Sequence, residues 1–407
     1  MDTAWQIALD GQIERLFPQI VELRRHLHAH PEPSGEEFNT SLLLYQRLGN
    51  LGLDVRMGGE GRGVIVDLPA ATAAGDAPLV AMRADIDALR IQDAKQVAYR
   101  STCPNVMHAC GHDAHTAVVF GAVHALVELQ SRGELPWPVR WRAVFQPAEE
   151  TSQGAREMIA AGALEGVSLI LANHMDPSRS VGRVGLRAGP LTASCDDLRI
   201  RVNGRGGHAA RPHETRDPIA AAAQLISALY QFVPRSTDSQ DAVVVTIGQI
   251  IAGDNPNVIP ERVELHGTLR TLHRDVRKNA MDRVREIGHG IGQTSGTQID
   301  VQFYNGSPPV DNDAGVVDIF RRAATDALGA EGVEAIPRPS MGAEDFAFYL
   351  EHVPGAMARI GCKSASVGGQ PLHAADFDID EAALAVAMRV LVRTVIMASD
   401  PARRAGS

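Results

Sequence analysis

The sequence predicts an α/β protein of two domains, one inserted in the other. Three observations predict it. Strand-like and helix-like runs alternate through the first half, the order that builds an open sheet with helices on both faces. The texture changes near Ala188-Gly189-Pro190 and gives way to a β-α-β-β-α-β string. Helical periodicity then resumes over Val316–Leu328 and Glu381–Ile396. A chain of 407 residues exceeds one ordinary compact domain, which also favours two.

The elements follow in order. Ile13, Leu16, Phe17, Ile20, Leu23 and Leu27 recur at helical spacing, separated by Glu14, Arg15, Glu22, Arg24 and Arg25. That pattern is an amphipathic helix on a core, without the apolar run of a signal peptide, so a mature cytosolic start is expected. Gly63–Leu68 and Leu79–Ala84 read as strands, and Thr116–Leu129 as a long apolar helix. Val139–Phe145 alternates as a strand does, and a helix over Gly154–Ala161 stops at Gly162. Ser168–Ala172 is continuously apolar, as a strand buried on both faces should be.

The inserted string comprises strands at Asp197–Val202, Ala242–Ile251, Glu261–Leu272 and Gln298–Tyr304, with helices at Asp217–Phe232 and Val276–Gly288. This is the ferredoxin-like pattern. The expected boundaries are therefore 1–187 with 305–407 for the outer domain and 188–304 for the insert. The last residues, 403–407, read as frayed.

Composition excludes several classes of function. The net charge of -10 repels phosphate backbones, and 4% aromatic residues leave little for base stacking, so nucleic acid is not an expected partner. No segment has the roughly 18 apolar residues of a membrane span, so no membrane partner is expected either. Cys103, Cys110, Cys195 and Cys362 are spaced too irregularly for a disulfide framework, which favours a reducing, cytoplasmic compartment.

Metal-competent side chains gather where loops leave strand ends, the place where an open α/β sheet forms its crevice. Met107–His115 holds three histidines, one cysteine and one aspartate in nine residues. The glycine between Cys110 and His112 lets both turn toward one point, against the plainer reading of a satisfied polar turn. Glu149 and Glu150 follow a strand. In extended chain adjacent carboxylates point apart, so one could bind metal while the other handles the proton of the attacking water. A dipole-favoured acidic pair at a helix start is the competing reading. His174 closes an apolar strand and His373 precedes the last helix; a lone histidine in such a place is more often structural than a ligand. Asp85 and Asp87 offer carboxylates to orient imidazoles.

Rival chemistries leave no motif: there is no G-x-S-x-G elbow, Walker A loop, H-E-x-x-H pair or paired C-x-x-C. Gly204–Ala209 has dinucleotide-turn spacing but lacks the strand–turn–helix setting.

Together these segments resemble metallopeptidase family 20, and within it the hippurate hydrolases, auxin-conjugate hydrolases and N-acyl-amino acid amidohydrolases. The resemblance begins at Leu23–Glu32 and continues through Ala84–Leu89, Met107–His115 and Phe145–Glu150. It then takes in Gly206–His208, Asn257–Pro260, Gly267–Arg270 and Gly342–Phe346. It implies a zinc-exopeptidase-like catalytic α/β domain that binds two divalent metal ions, and an inserted ferredoxin-like lid that mediates dimerisation. By position, Cys110, His112, Glu150, His174 and His373 would be the ligands, with Cys110 the bridge, which reverses the plainer reading of the two lone histidines. Glu149 would be the general base. His208 would steady the oxyanion, including from a partner subunit, and Asn257 and Arg270 would hold a substrate carboxylate. Asp85, Asp87 and His115 would support the ligands.

A thiolate suits zinc, while the other donors also accept manganese, cobalt or nickel. The expected substrate is a small N-acyl-amino acid or short peptide, and the expected assembly a homodimer or higher homo-oligomer. A dipeptidase or carboxypeptidase would share every one of these residues. A catalytically silent binding relative would have lost Glu149 or a ligand. Arg90 stands where similar proteins have proline, and it is expected to point to solvent.

Overall fold

A computed structural model describes residues 4–69 and 77–402; the expected fraying of 403–407 lies outside the described residues. The chain divides into two compact units. The first comprises Met1–Gly189, Asp311–Pro337 and Phe348–Ser407, and the second Pro190–Val310 with Arg338–Ala347. Sequence reasoning left 338–347 with the outer part.

The first unit opens with α1 (Ala4–Ala29) and α2 (Phe38–Gly49), the latter not anticipated from periodicity. Strands β1 (Asp54–Met57), β2 (Val64–Asp67) and β3 (Leu79–Asp85) follow. Helix α3 (His112–Ser131) starts four residues before the expected Thr116. Gly111, at φ +89°, supplies the left-handed residue that turns the chain into it. A Cβ at Gly111 would also press on Met175 at 3.3 Å. Helix α3 is buried on all sides from His112 to Val123, which makes it a central helix, and it packs between α1 and the strands β3 and β5.

Next come β4 (Arg140–Gln146), α4 (Gly154–Ala160), β5 (Val167–Ser180) and β6 (Val184–Leu186). Strand β5 runs far beyond the expected Ala172. His174 therefore sits within the strand, held by parallel pairing to a later strand, rather than closing it.

The second unit then contributes β7 (Ser194–Asn203), α5 (Pro218–Arg235), β8 (Val243–Ala252), β9 (Arg262–Thr271), α6 (Arg274–Ser295) and β10 (Gln298–Ser307). The order in its antiparallel sheet is β8-β9-β7-β10. Leu198, Ile200 and Val202 alternate inward along β7 and meet Leu225, Leu229 and Val284 of the two helices. Asp217 caps α5 by accepting from the Ile219 and Ala220 amides, with Pro218 in the first turn.

The chain returns to the first unit with α7 (Ala314–Leu328), β11 (Val333–Ala335), β12 (Gly355–Lys363) and α8 (Ala382–Ala398). Its eight-stranded mixed sheet has the order β1-β2-β4-β3-β5-β12-β6-β11. Strands β4, β3, β5 and β12 are mutually parallel at its centre. No described helix is long and apolar enough to cross a membrane.

Candidate metal centre

The site is assembled in the first unit from loops and strand positions remote in sequence. Gly111 lets Cys110 and His112 converge, and β5 delivers His174. The donor atoms of Cys110, His112 and His174 lie within 4.8 Å of one another, and Cys110 Sγ is 3.6 Å from His174 Nε2. Both imidazoles are oriented by their other nitrogen. His112 Nδ1 donates to the Asp87 carbonyl at 2.9 Å and faces the Asp87 carboxylate at 3.1 Å. His174 Nδ1 donates to the Met175 carbonyl at 2.8 Å. Each ring thus presents Nε2 to the cluster, the arrangement a ligating histidine requires.

A second group contains Cys110, Glu150 and His373, and a third His112, Glu149 and Glu150. His373 is drawn in by its amide, which donates to the Ala109 carbonyl at 2.8 Å, and it accepts a left-handed backbone at φ +65° to do so. Its Nε2 is 3.3 Å from Glu150 Oε1. The glutamates correct one expectation. They do not point apart from an extended chain; Ala148, at φ +51°, turns the backbone so that both carboxylates come within reach of His112. Gly154 permits this turn, since a Cβ there would lie 1.5 Å from the Pro147 carbonyl oxygen.

The donor set fits a pair of divalent ions. Cys110 is common to two of the groups. His112 Nε2 is buried and makes no hydrogen bond, which is costly unless something else satisfies it. Burial pushes the Cys110 thiol up to about 12, with Glu150 and Asp85 adding to it. Burial works against protonated His112, yet Asp85, Cys110 and Asp87 outweigh it and raise the imidazole well above its ordinary value. Burial and Arg359 hold His174 well below its ordinary value, so that ring is neutral and free to coordinate. The hydrogen bond to Glu150 raises His373.

Around these donors lies a supporting layer. Asp85, His112 and His115 also lie close enough to form a candidate ligand group, but both His115 nitrogens are committed. Nδ1 meets Asp85 Oδ1 at 2.7 Å and Nε2 accepts the Met175 amide at 2.8 Å. His115 therefore steadies the backbone beside His174. Buried Arg83 neutralises Asp85 at 2.5 Å and also donates to Gln146. Asp87 orients His112, accepts the Glu150 amide at 3.0 Å and the Ser34 hydroxyl at 2.6 Å.

Ser34, Glu37, Arg24, His28 and Asp113 were not singled out from sequence. Asp113, next to His112 in the chain, accepts from Arg24 Nε at 2.8 Å and faces His28 Nδ1 at 2.7 Å. The signal was present, because His28 opens the His-x-x-Pro-Glu run and Asp113 lies in the histidine-rich one. Nothing in one-dimensional spacing says that these two runs meet. Arg90 is exposed and pairs with Glu36.

In the second unit, the two-residue ladder of Gly207–His208 with Val258–Ile259 brings His208 beside Asn257. The Ala209 amide donates to the Asn257 carbonyl at 3.0 Å. His208 Nδ1 accepts the Ala210 amide, so the exposed Nε2 carries the hydrogen. Arg270 lies outside that ladder, on β9 opposite Cys195, with Nη1 donating to the Met341 carbonyl at 3.0 Å.

The pattern of peptidase family M20/M25/M40 matches residues 81–397, and the chain belongs to that family. It is a hydrolase acting on amide and peptide bonds. It is 38% identical over 375 residues to an N-acetyl-L-cysteine deacetylase of Bacillus subtilis, covering 91% of this chain and 86% of that one. It is 34% identical to thermostable carboxypeptidase 2 of Saccharolobus solfataricus, over 92% of this chain and 93% of that one. A solved Bacillus subtilis protein, described as a dinuclear metal binding peptidase, superposes with a TM-score of 0.80 at 34% identity. That match covers 94% of this chain and 98% of the other.

Proposed function

We propose that this protein is a two-metal amidohydrolase that cleaves the amide bond of small N-acyl-amino acids, acetylated or hippurate-like. One observation carries the reading: Cys110 belongs to two donor groups at once, one with His112 and His174 and the other with Glu150 and His373. A donor shared in this way is what a bridged pair of ions needs. Bound divalent ions would polarise the substrate carbonyl and lower the pKa of water at neutral pH. Zinc matches the thiolate, and manganese, cobalt or nickel the remaining donors.

The chain's own residues supply the rest. Glu149, beside Glu150 in the same turn, takes the proton of the attacking water and returns it to the leaving nitrogen. His208 offers its Nε2 hydrogen to the developing oxyanion. Asn257 and Arg270 hold the amino-acid carboxylate, for which the guanidinium fork is suited. The deacetylase relative supports an acyl group as the part removed. The carboxypeptidase relative supports the alternative of peptide cleavage by the same residues.

Self-association is assigned to the second unit. β8 is an edge strand of its sheet, and it exposes Val244, Ile250 and Ile251, near exposed Tyr230 and Phe232 of α5. A second copy of the chain is the natural cover for such an edge. All four cysteines are free, which suits a reducing, cytoplasmic setting for a thiolate-dependent site.

The test strips the protein of metal, adds back zinc, manganese, cobalt and nickel singly, and assays hippurate-like, acetylated and dipeptide substrates. Turnover restored by one ion on acylated substrates supports the proposal. Turnover on dipeptides alone would transfer it to the peptidase reading. Uptake of two ions without any hydrolysis would count against both.

A further inference from the structure

We propose that Glu37 is a positioning residue for this reaction, its carboxylate clamping Ala148 in the left-handed backbone that brings Glu149 and Glu150 together at His112. The proposal rests on the roles assigned above to Glu149 and Glu150. Glu37 is fully buried and lies 111 positions from Ala148. Its Oε1 accepts the Ala148 amide at 2.8 Å and the Gly35 amide at 2.9 Å, and its Oε2 faces Arg62 Nη1 at 3.4 Å.

The plainer role for an acidic residue at this place is to cap its own helix. Glu37 stands at the N-cap of α2, yet its side chain makes no capping bond. The carboxylate is directed instead to the Ala148 turn. Burial and Asp87 raise the Glu37 carboxyl above its ordinary value, while the Gly35 and Ala148 amides oppose them, so a group kept here at a cost has those amides as its compensation.

A left-handed conformation is sterically unfavourable for alanine and persists only where surrounding bonds enforce it. Released, the chain would relax toward extended backbone, where successive side chains point to opposite faces. One glutamate would then leave the cluster. Asp87 holds the other end of the same turn through the Glu150 amide at 3.0 Å, while the Ala148 carbonyl accepts the Gln153 and Gly154 amides. Glu37 and Asp87 therefore grip the turn from both sides, and Asp87 also orients His112.

The experiment compares the zinc-reconstituted wild type with Glu37→Met, Glu37→Gln and Glu37→Met/Ala148→Gly. It measures kcat, KM and zinc affinity by competition titration. Glu37→Met should lower kcat on the order of 10²-fold, the usual scale for a misplaced reacting group, with KM changed far less. It should also weaken one of the two zinc sites by about tenfold or more, the scale for losing a ligand's support. Glu37→Gln keeps an acceptor oxygen and should retain most of the activity. Ala148→Gly in the methionine background should recover roughly tenfold in kcat, because glycine takes the left-handed conformation without a clamp.

Wild-type kcat and zinc affinity in Glu37→Met would overturn the proposal. So would a loss that Ala148→Gly fails to relieve, which would assign Glu37 to the stability of the fold. Should the methionine variant not fold, Glu37→Asp withdraws the acceptor by one methylene and must show the same loss and the same relief. If the wild type binds two ions but hydrolyses no amide, the proposed function fails, and the zinc titrations still decide the clamp.

Discussion

Cys110 Sγ and His174 Nε2 stand 3.6 Å apart although 64 positions separate them in the chain. The thiol side of this pair is buried and pushed up to about 12, so an ion must displace a proton to be held there. Metal affinity should therefore rise with pH across the neutral range, with proton release on binding. Zinc competition at pH 6.5 and 8.5, with calorimetry in buffers of different ionisation enthalpy, measures both. Cys110→Ala should reduce the proton release, leaving the part that comes from His112 and His373, and weaken binding at both sites, since Cys110 belongs to both donor groups.

Glu149 shares its turn with Glu150 but is assigned proton transfer rather than ligation. Glu149→Ala should keep two bound ions and lower kcat by about 10²–10⁴-fold, the range for loss of a general base. Metal analysis of the purified variant alongside its kinetics separates this outcome from loss of an ion.

Arg24 is fully buried between Asp113 at 2.8 Å and Asp378 at 2.8 Å. Burial opposes ionised Asp113, but Arg24 and His28 outweigh it and hold that carboxyl well below the usual range. Arg24→Met would remove the buried guanidinium shared by Asp113, Asp378 and Glu381 and should cost about 3–5 kcal/mol in urea unfolding. Adding Asp113→Asn should return part of that loss, because one uncompensated charge is removed.

His108 supplies a pH dependence. Burial lowers its imidazole to about 4, against about 6.5 in an unfolded chain. The unfolded chain therefore binds this proton first as the medium is acidified. The contribution is intact above pH 6.5 and is lost progressively as pH falls toward 4, by up to about 3 kcal/mol. Urea midpoints of the metal-free protein from pH 7 to 5 should fall in the wild type and be flatter in His108→Gln.

Ile250 and Ile251 are exposed on the edge strand β8. Ile250→Asp should shift the protein toward monomer without lowering its thermal stability by more than about 0.5 kcal/mol, the usual limit for a surface change. Sedimentation at micromolar concentration reads the shift; an unchanged assembly state would place the interface elsewhere.

Of the clustered side chains, Cys110 and His112 stand out in the sequence because their run combines residue types rarely found together, and Glu149 and Glu150 because they are paired after a strand, whereas His174 and His373 were lone histidines that only the family resemblance singled out. The β-α-β-β-α-β insert was legible too, since alternation along β7 and the helical period of α5 are local signals. Helix α2 was not, because its exposed Phe38, Leu42 and Tyr45 blur the amphipathic pattern. The start of α3 was hidden by Gly111, whose left-handed turn is invisible to periodicity.

The sequence by itself determined the chemistry: which donor types are present, in what order, and on which kinds of element. Only the tertiary structure decided their partnerships. His115 is bonded at both nitrogens, Asp87 serves His112 and Glu150 together, and Glu37 reaches Ala148. Residue type and spacing specify what a side chain can bond, through local backbone geometry. Which bond it makes depends on the packing of distant segments around a buried site, where every polar atom must find a partner.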